Sequence, residues 1–104
     1  MVDVRKLRIF TEGVQKAKAF REDVSVLGAY AEDKGLFRAK VTVSSPEGNF
    51  QLHFTIGADD EVTGLGPNGW RVPDCLLTPK GIESAIKDAI QWKLGPSPFI
   101  ANSP

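Results

Sequence analysis

Residues 36–57 read LFRAKVTVSS-PEGN-FQLHFTIG, and this stretch decides the fold. Phe37, Ala39, Val41 and Val43 alternate with Arg38, Lys40, Thr42 and Ser44, the period of two that sends successive side chains to opposite faces of a strand. After Pro46, Glu47, Gly48 and Asn49, a run of turn formers, Phe50, Leu52, Phe54 and Ile56 alternate with Gln51, His53 and Thr55. Closing a four-residue loop over 46–49 sets Ser45 opposite Phe50, Val43 opposite Leu52 and Val41 opposite Phe54. Both apolar sets then lie on one side, the condition that a hairpin register has to meet.

Upstream, Val24, Val26, Gly28 and Tyr30 alternate in the same way and lead into the turn formers Glu32, Asp33, Lys34 and Gly35. Pairing Ala31 with Leu36 places Tyr30 beside Phe37 and Val26 beside Val41, so a third strand joins with its apolar side inward. A short fourth strand is expected over 61–65. The chain then switches to helical spacing: Ile82, Ala85, Ile86, Ala89 and Ile90 form one stripe. Thr78 stands as N-cap and Pro79 takes the first helical position, where its missing N–H costs nothing, while Gly95 and Pro96 supply the stop. Near the N-terminus, Leu7, Phe10, Val14 and Ala17 fit one face of a helix over 4–20 capped by Asp3. A strand over 7–10 followed by a shorter helix capped by Thr11 competes with it, because Ile9 and Phe20 fall on the far side of a single helix and Gly13 interrupts its middle.

The resulting order is α-β-β-β-β-α. It describes an α+β fold: an antiparallel meander of three to four strands, covered on one face by an N-terminal and a C-terminal helix. Residues 1–95 form the expected single domain, and 96–104, rich in Pro and Ser, an irregular tail. In layout this order resembles cystatin-like arrangements, in which a helix packs across a meander, although no motif is shared.

The composition narrows function by exclusion. With 104 residues, 41% of them hydrophobic, the chain can bury one core. No stretch approaches the roughly 18 apolar residues of a membrane span, and 1–10 lack the apolar run of a secretory signal. The single Cys closes no internal disulfide, so a cytoplasmic location is the expectation. Lys+Arg and Asp+Glu balance at 13 each. Within that balance Arg5, Lys6, Arg8, Lys16, Lys18 and Arg21 cluster in the first 21 residues, a local cationic segment that raises nucleic-acid binding. The neutral total argues against it, since such binding usually accompanies a basic domain.

Gly64, Gly66 and Gly69 match G-x-G-x-x-G, the dinucleotide fingerprint. That motif works only where a helix starts at the loop and aims its N–H groups at a pyrophosphate. Here Pro67 lies within it and Trp70, Arg71, Val72 and Pro73 follow, so no cofactor is expected. One His and one Cys cannot build a Cys/His zinc site, and 59–61 lack the spacing of a calcium loop, so no metal is expected either. A hydrolase-like site would need His53 with Cys75 as nucleophile and Asp74 or Asp60 as orienter; local spacing brings none of them together.

What remains is binding. Trp70 and Arg71 are of the types enriched at interface hot spots, although Trp70 equally suits a core cap. The polar sheet face offers Arg38, Lys40 and His53 with Thr42, Gln51 and Thr55, and Leu27 and Leu36 nearby. The reading is a small non-enzymatic binding or interaction module whose partner is another protein or a second copy of itself. Two alternatives stand beside it. One is a small-molecule binder with a pocket lined by Tyr30, Phe37, Phe54 and Trp70; the other is an enzyme built on His53.

Overall fold

A computed structural model describes residues 3–95; the expected tail over 96–104 lies outside them. The described chain runs α1 (Val4–Lys18), β1 (Ser25–Asp33), β2 (Leu36–Ser45), β3 (Gly48–Ile56), β4 (Val62–Leu65) and α2 (Pro79–Leu94). The four strands form one antiparallel sheet in the order β1-β2-β3-β4, an α+β fold in which both helices pack on the same apolar face.

Both hairpins are tighter than the turn-forming residues suggested. Asp33 pairs with Leu36 and Ser45 with Gly48, so each turn has two residues where four were expected. Lys34 and Gly35 take φ of 52° and 78°, as a type I′ turn requires, and that turn matches the right-handed twist of the flanking strands. At the second turn the Ser45 hydroxyl donates to the Gly48 carbonyl at 2.8 Å and accepts from the Glu47 N–H at 3.2 Å. Each register therefore slides by two residues. Val26 faces Val43 instead of Val41, and Tyr30 faces Ala39 instead of Phe37. Val43 faces Phe50, and Val41 faces Leu52. An even slide keeps every side chain on its face, so the apolar side survives the correction.

The N-terminal segment is one helix. The Asp3 carboxylate accepts from the N–H groups of Arg5 and Lys6 at 3.0 and 3.2 Å, satisfying two of the orphan donors of the first turn. Its buried stripe is Lys6, Phe10, Gly13, Val14 and Ala17. Leu7, expected in that stripe, packs only partly against the core, while the Lys6 ammonium reaches the Gly57 carbonyl at 3.2 Å. In α2 the buried residues are Ile82, Ala85, Ile86, Ala89 and Ile90, and the Thr78 hydroxyl accepts from the Gly81 N–H at 3.0 Å. Arg21 closes the end of the helical layer. It is buried, grips Asp23 through two bonds of 2.9 and 2.7 Å, and donates to the Gly95 carbonyl at 3.0 Å, the negative end of α2. That bidentate bond holds the Asp23 carboxyl below the usual carboxylate range.

Gly13 marks where the two helices touch. A Cβ there would lie 2.6 Å from Ile82 Cβ and 2.7 Å from its Cγ2, and a β-branched side chain in a helix cannot rotate away. At an ordinary helix position Gly→Ala stabilises by about 1 kcal/mol. Here overpacking reverses the sign, so Gly13→Ala is expected to destabilise by about 1–2 kcal/mol net. A urea midpoint that rises in Gly13→Ala would contradict this close approach.

Candidate functional site

The helices cover one face of the sheet and leave the other open. On that open face the two-residue alternation lines up Ala29, Lys40, His53 and Leu65 in one cross-strand row, and Ala31, Arg38, Thr55 and Thr63 in the next. Arg38, Lys40 and His53 are all exposed, and these three expected binding residues converge. Long side chains on β2 and β3 stand beside methyl groups on β1. The result is a solvent-open recess of about 240 Å³ lined by Ala29, Ala31, Arg38, Lys40, His53 and Thr55. Arg38 Nε lies 3.5 Å from Asp33 Oδ2, with both side chains more than half exposed. Such a pair is worth little and yields readily to a better anion. The contribution of Ala29 and Ala31 was missed from sequence. The available signal was two small residues on the face where the neighbouring strand carries Arg and Lys.

Trp70 and Arg71 are not part of this surface cluster. The chain after β4 makes a 3-10 turn at Pro67–Gly69 and doubles back. Gly66 N–H donates to the Trp70 carbonyl at 2.9 Å, and Val72 N–H donates to the Gly64 carbonyl at 3.1 Å. No α-helix starts at the glycine-rich loop; the next one begins at Pro79. The fold-back drives the Trp70 ring into the core, where it is 2% exposed, edge-on to Phe54 with centroids 6.2 Å apart. Its indole Nε1 donates to Asp88 Oδ2 on α2 at 2.8 Å. Trp70 therefore offers no ring to a partner, and Arg71 alone remains exposed. Of the four residues expected to line a pocket between sheet and helices, Phe37, Phe54 and Tyr30 pack their rings on Phe10, Tyr30 also stacks on Phe37, and Trp70 packs edge-on to Phe54.

The residues of the hydrolase reading are dispersed. His53 faces the open side, between Lys40 and Leu65 in the cross-strand rows. Cys75 packs against the core near Glu61, Val62 and Asp74, and Val62 points to the opposite face of the sheet from His53. Burial, and then the Asp74 charge, push the Cys75 thiol up, away from the thiolate that a nucleophile needs. Asp60 is engaged with Arg5 at 2.6 Å. That contact also thins the basic N-terminal segment, where Lys6 and Arg21 are buried and bonded within the fold.

Among the described residues no three His, Cys, Asp or Glu side chains gather into a metal-holding group, and no helix is long and apolar enough to cross a membrane. Comparison of the chain with protein-family models, with curated proteins and with solved structures finds no match.

Proposed function

We propose that this chain is a cytoplasmic, non-enzymatic binding module whose open sheet face receives an acidic side chain or segment of a protein partner. The observation that carries the reading is the convergence of Arg38, Lys40 and His53 on one recess floored by the small residues of β1. A guanidinium and an ammonium set side by side favour a carboxylate, by charge and by the fork geometry of arginine. The size points to a partner's side chain. At about 240 Å³ and open to solvent, the recess falls below the roughly 300 Å³ at which pockets enclose free small ligands. A face-to-face pair of identical sheets with its two-fold axis at the recess would set Arg38 and Lys40 against their own copies, and such like-charge contact across an interface is costly. A different, acidic surface avoids that cost at this face. A free Cys75 suits the reducing cytoplasm.

Amide chemical shifts provide the test, with hexaglutamate and hexalysine as probes. Hexaglutamate is expected to move the amides of 29–31, 38–40 and 53–55, with the response falling as salt rises, whereas hexalysine leaves them in place. The double variant Arg38→Glu, Lys40→Glu is expected to weaken the response by about tenfold or more. An equal response in the double variant, or shifts centred elsewhere, would remove the sheet face from the account.

A further inference from the structure

The two edges of the sheet are treated differently. β4 has four residues, and its outer side is occupied by the chain's own fold-back, through the Leu65–Arg71 bridge and the bond from Val72 N–H to the Gly64 carbonyl. β1 has nine residues, Ser25–Asp33, and among the described residues it pairs on one side only. Which of its backbone groups point away from β2 follows from the turn. In a two-residue hairpin the residues flanking the turn form a hydrogen-bonded pair, and such pairs recur at every second residue. Asp33, Ala31, Ala29, Leu27 and Ser25 thus bond inward, and Val26, Gly28 and Tyr30 turn N–H and C=O outward. The same alternation carried through β2 and β3 makes Gly64 an outward residue of β4, as its carbonyl's bond to Val72 requires. Among the described residues nothing hydrogen-bonds the outward backbone groups of Val26, Gly28 and Tyr30.

Natural edge strands are usually guarded by lysine, proline, a bulge or short length. β1 has none of these: from Ser25 to Ala31 it carries no charge and no proline, and its pairing with β2 runs without a bulge from end to end. Its solvent face carries Leu27, 68% exposed, with exposed Ala29 and Ala31 beside it.

We infer that β1 is a self-association edge, pairing antiparallel with β1 of a second copy about a two-fold axis at Ala29 to give a continuous eight-stranded sheet. The strand is self-complementary in that register. Ala29 meets the partner's Ala29, Leu27 meets the partner's Ala31, and Asp33 meets the partner's Ser25, so no like charges face each other. Axes at Gly28 or Tyr30 fit less well: the first opposes Asp23 and Asp33, and the second stacks Tyr30 on its copy and sets Leu27 against an aspartate, while the axis at Ala29 leaves one mismatch, Val26 beside the partner's Glu32. The axis at Ala29 also adds the partner's Leu27 to the open β1 side of the Arg38–Lys40 recess. This pairing is independent of what the sheet face binds.

A strand pair is a small interface, so association is expected to be weak and concentration-dependent. Sedimentation of the full chain from about 5 to about 500 µM is expected to move from the 11.3 kDa monomer to twice that mass. Ala29→Lys, and independently Leu27→Lys, place an ammonium at exposed positions and are expected to hold the chain monomeric with unchanged circular dichroism and melting. For the register, Ala29→Cys in a Cys75→Ser background sets two thiols across the axis at a non-hydrogen-bonded pair. Its Cα separation of about 4.5 Å suits a disulfide. Mild oxidation is expected to link this variant about tenfold faster than Leu27→Cys in the same background. A monomer at every concentration, or a dimer untouched by both lysine variants, overturns the inference. Equal linking of the two cysteine variants overturns the register.

Discussion

Trp70→Ala is expected to cost about 3–5 kcal/mol, the range for deleting a large buried aromatic, from a domain whose whole stability is about 5–15 kcal/mol. The ring is enclosed at 2% exposure and stands edge-on to Phe54. Its neighbours belong to the sheet and to α2, so a collapse that filled the void would have to move both. At about 4–8 °C per kcal/mol for a domain near this size, the melting temperature should fall by roughly 15 °C or more. Trp70→Phe separates packing from the polar bond. It keeps most of the ring and loses the donor to Asp88, a carboxylate that remains exposed to water, so its expected cost is about 1–2 kcal/mol. Urea unfolding with a common slope measures both. Fluorescence adds a second readout: Trp92 is 57% exposed, so Trp70→Phe should leave only red-shifted emission. If Trp70→Ala melted within a degree or two of the parent, the loop would not be an anchor of the core.

Phe10→Ala is expected to be equally damaging, by about 3–5 kcal/mol. Phe10 is the one residue of α1 whose ring meets three others, with centroids 5.2 Å from Phe54, 5.8 Å from Phe37 and 6.1 Å from Tyr30. Removing it opens a cavity under β1, β2 and β3 together and breaks edge contacts worth about 0.5–1.5 kcal/mol per pair beyond the buried area. Phe10→Leu fills most of the volume and should cost well under half as much. A double-mutant cycle with Phe54→Leu measures the ring-ring coupling, expected at about 1 kcal/mol. Strict additivity of the two would show that only area, and not ring geometry, matters there.

Much of this was legible before any coordinates, for reasons that differ by element. The strands announced themselves because one face meets apolar neighbours and the other meets water, so each residue records its own side. The ends of α2 were legible in Thr78, Pro79 and Gly95, because capping is a contact between a side chain and backbone within a few residues, whereas Asp3 competed with Thr11 as the cap of α1. The three cations of the sheet face could be grouped once the parity of the strands was known. Lys6 and Arg21 misled for the opposite reason. Both look like solvated cations, and both are buried because distant groups, the Gly57 and Gly95 carbonyls, complete their hydrogen bonds.

Alternation and helical spacing are properties of a few neighbouring residues, so the chain alone determined the antiparallel meander, the face each strand residue takes and the start of α2, while folding chose one N-terminal helix from Asp3 over a strand followed by a shorter helix. Folding decided the two-residue slide of both hairpins, the burial of Trp70 against Asp88, the contact of Gly13 with Ile82 and the recess between β1 and β2. The burial of Trp70 and the contact of Gly13 are choices among partners far apart in the chain, and each hairpin register is a choice between two- and four-residue turns that keep the same faces. Local preference leaves such partners nearly equivalent, and only packing in three dimensions separates their energies.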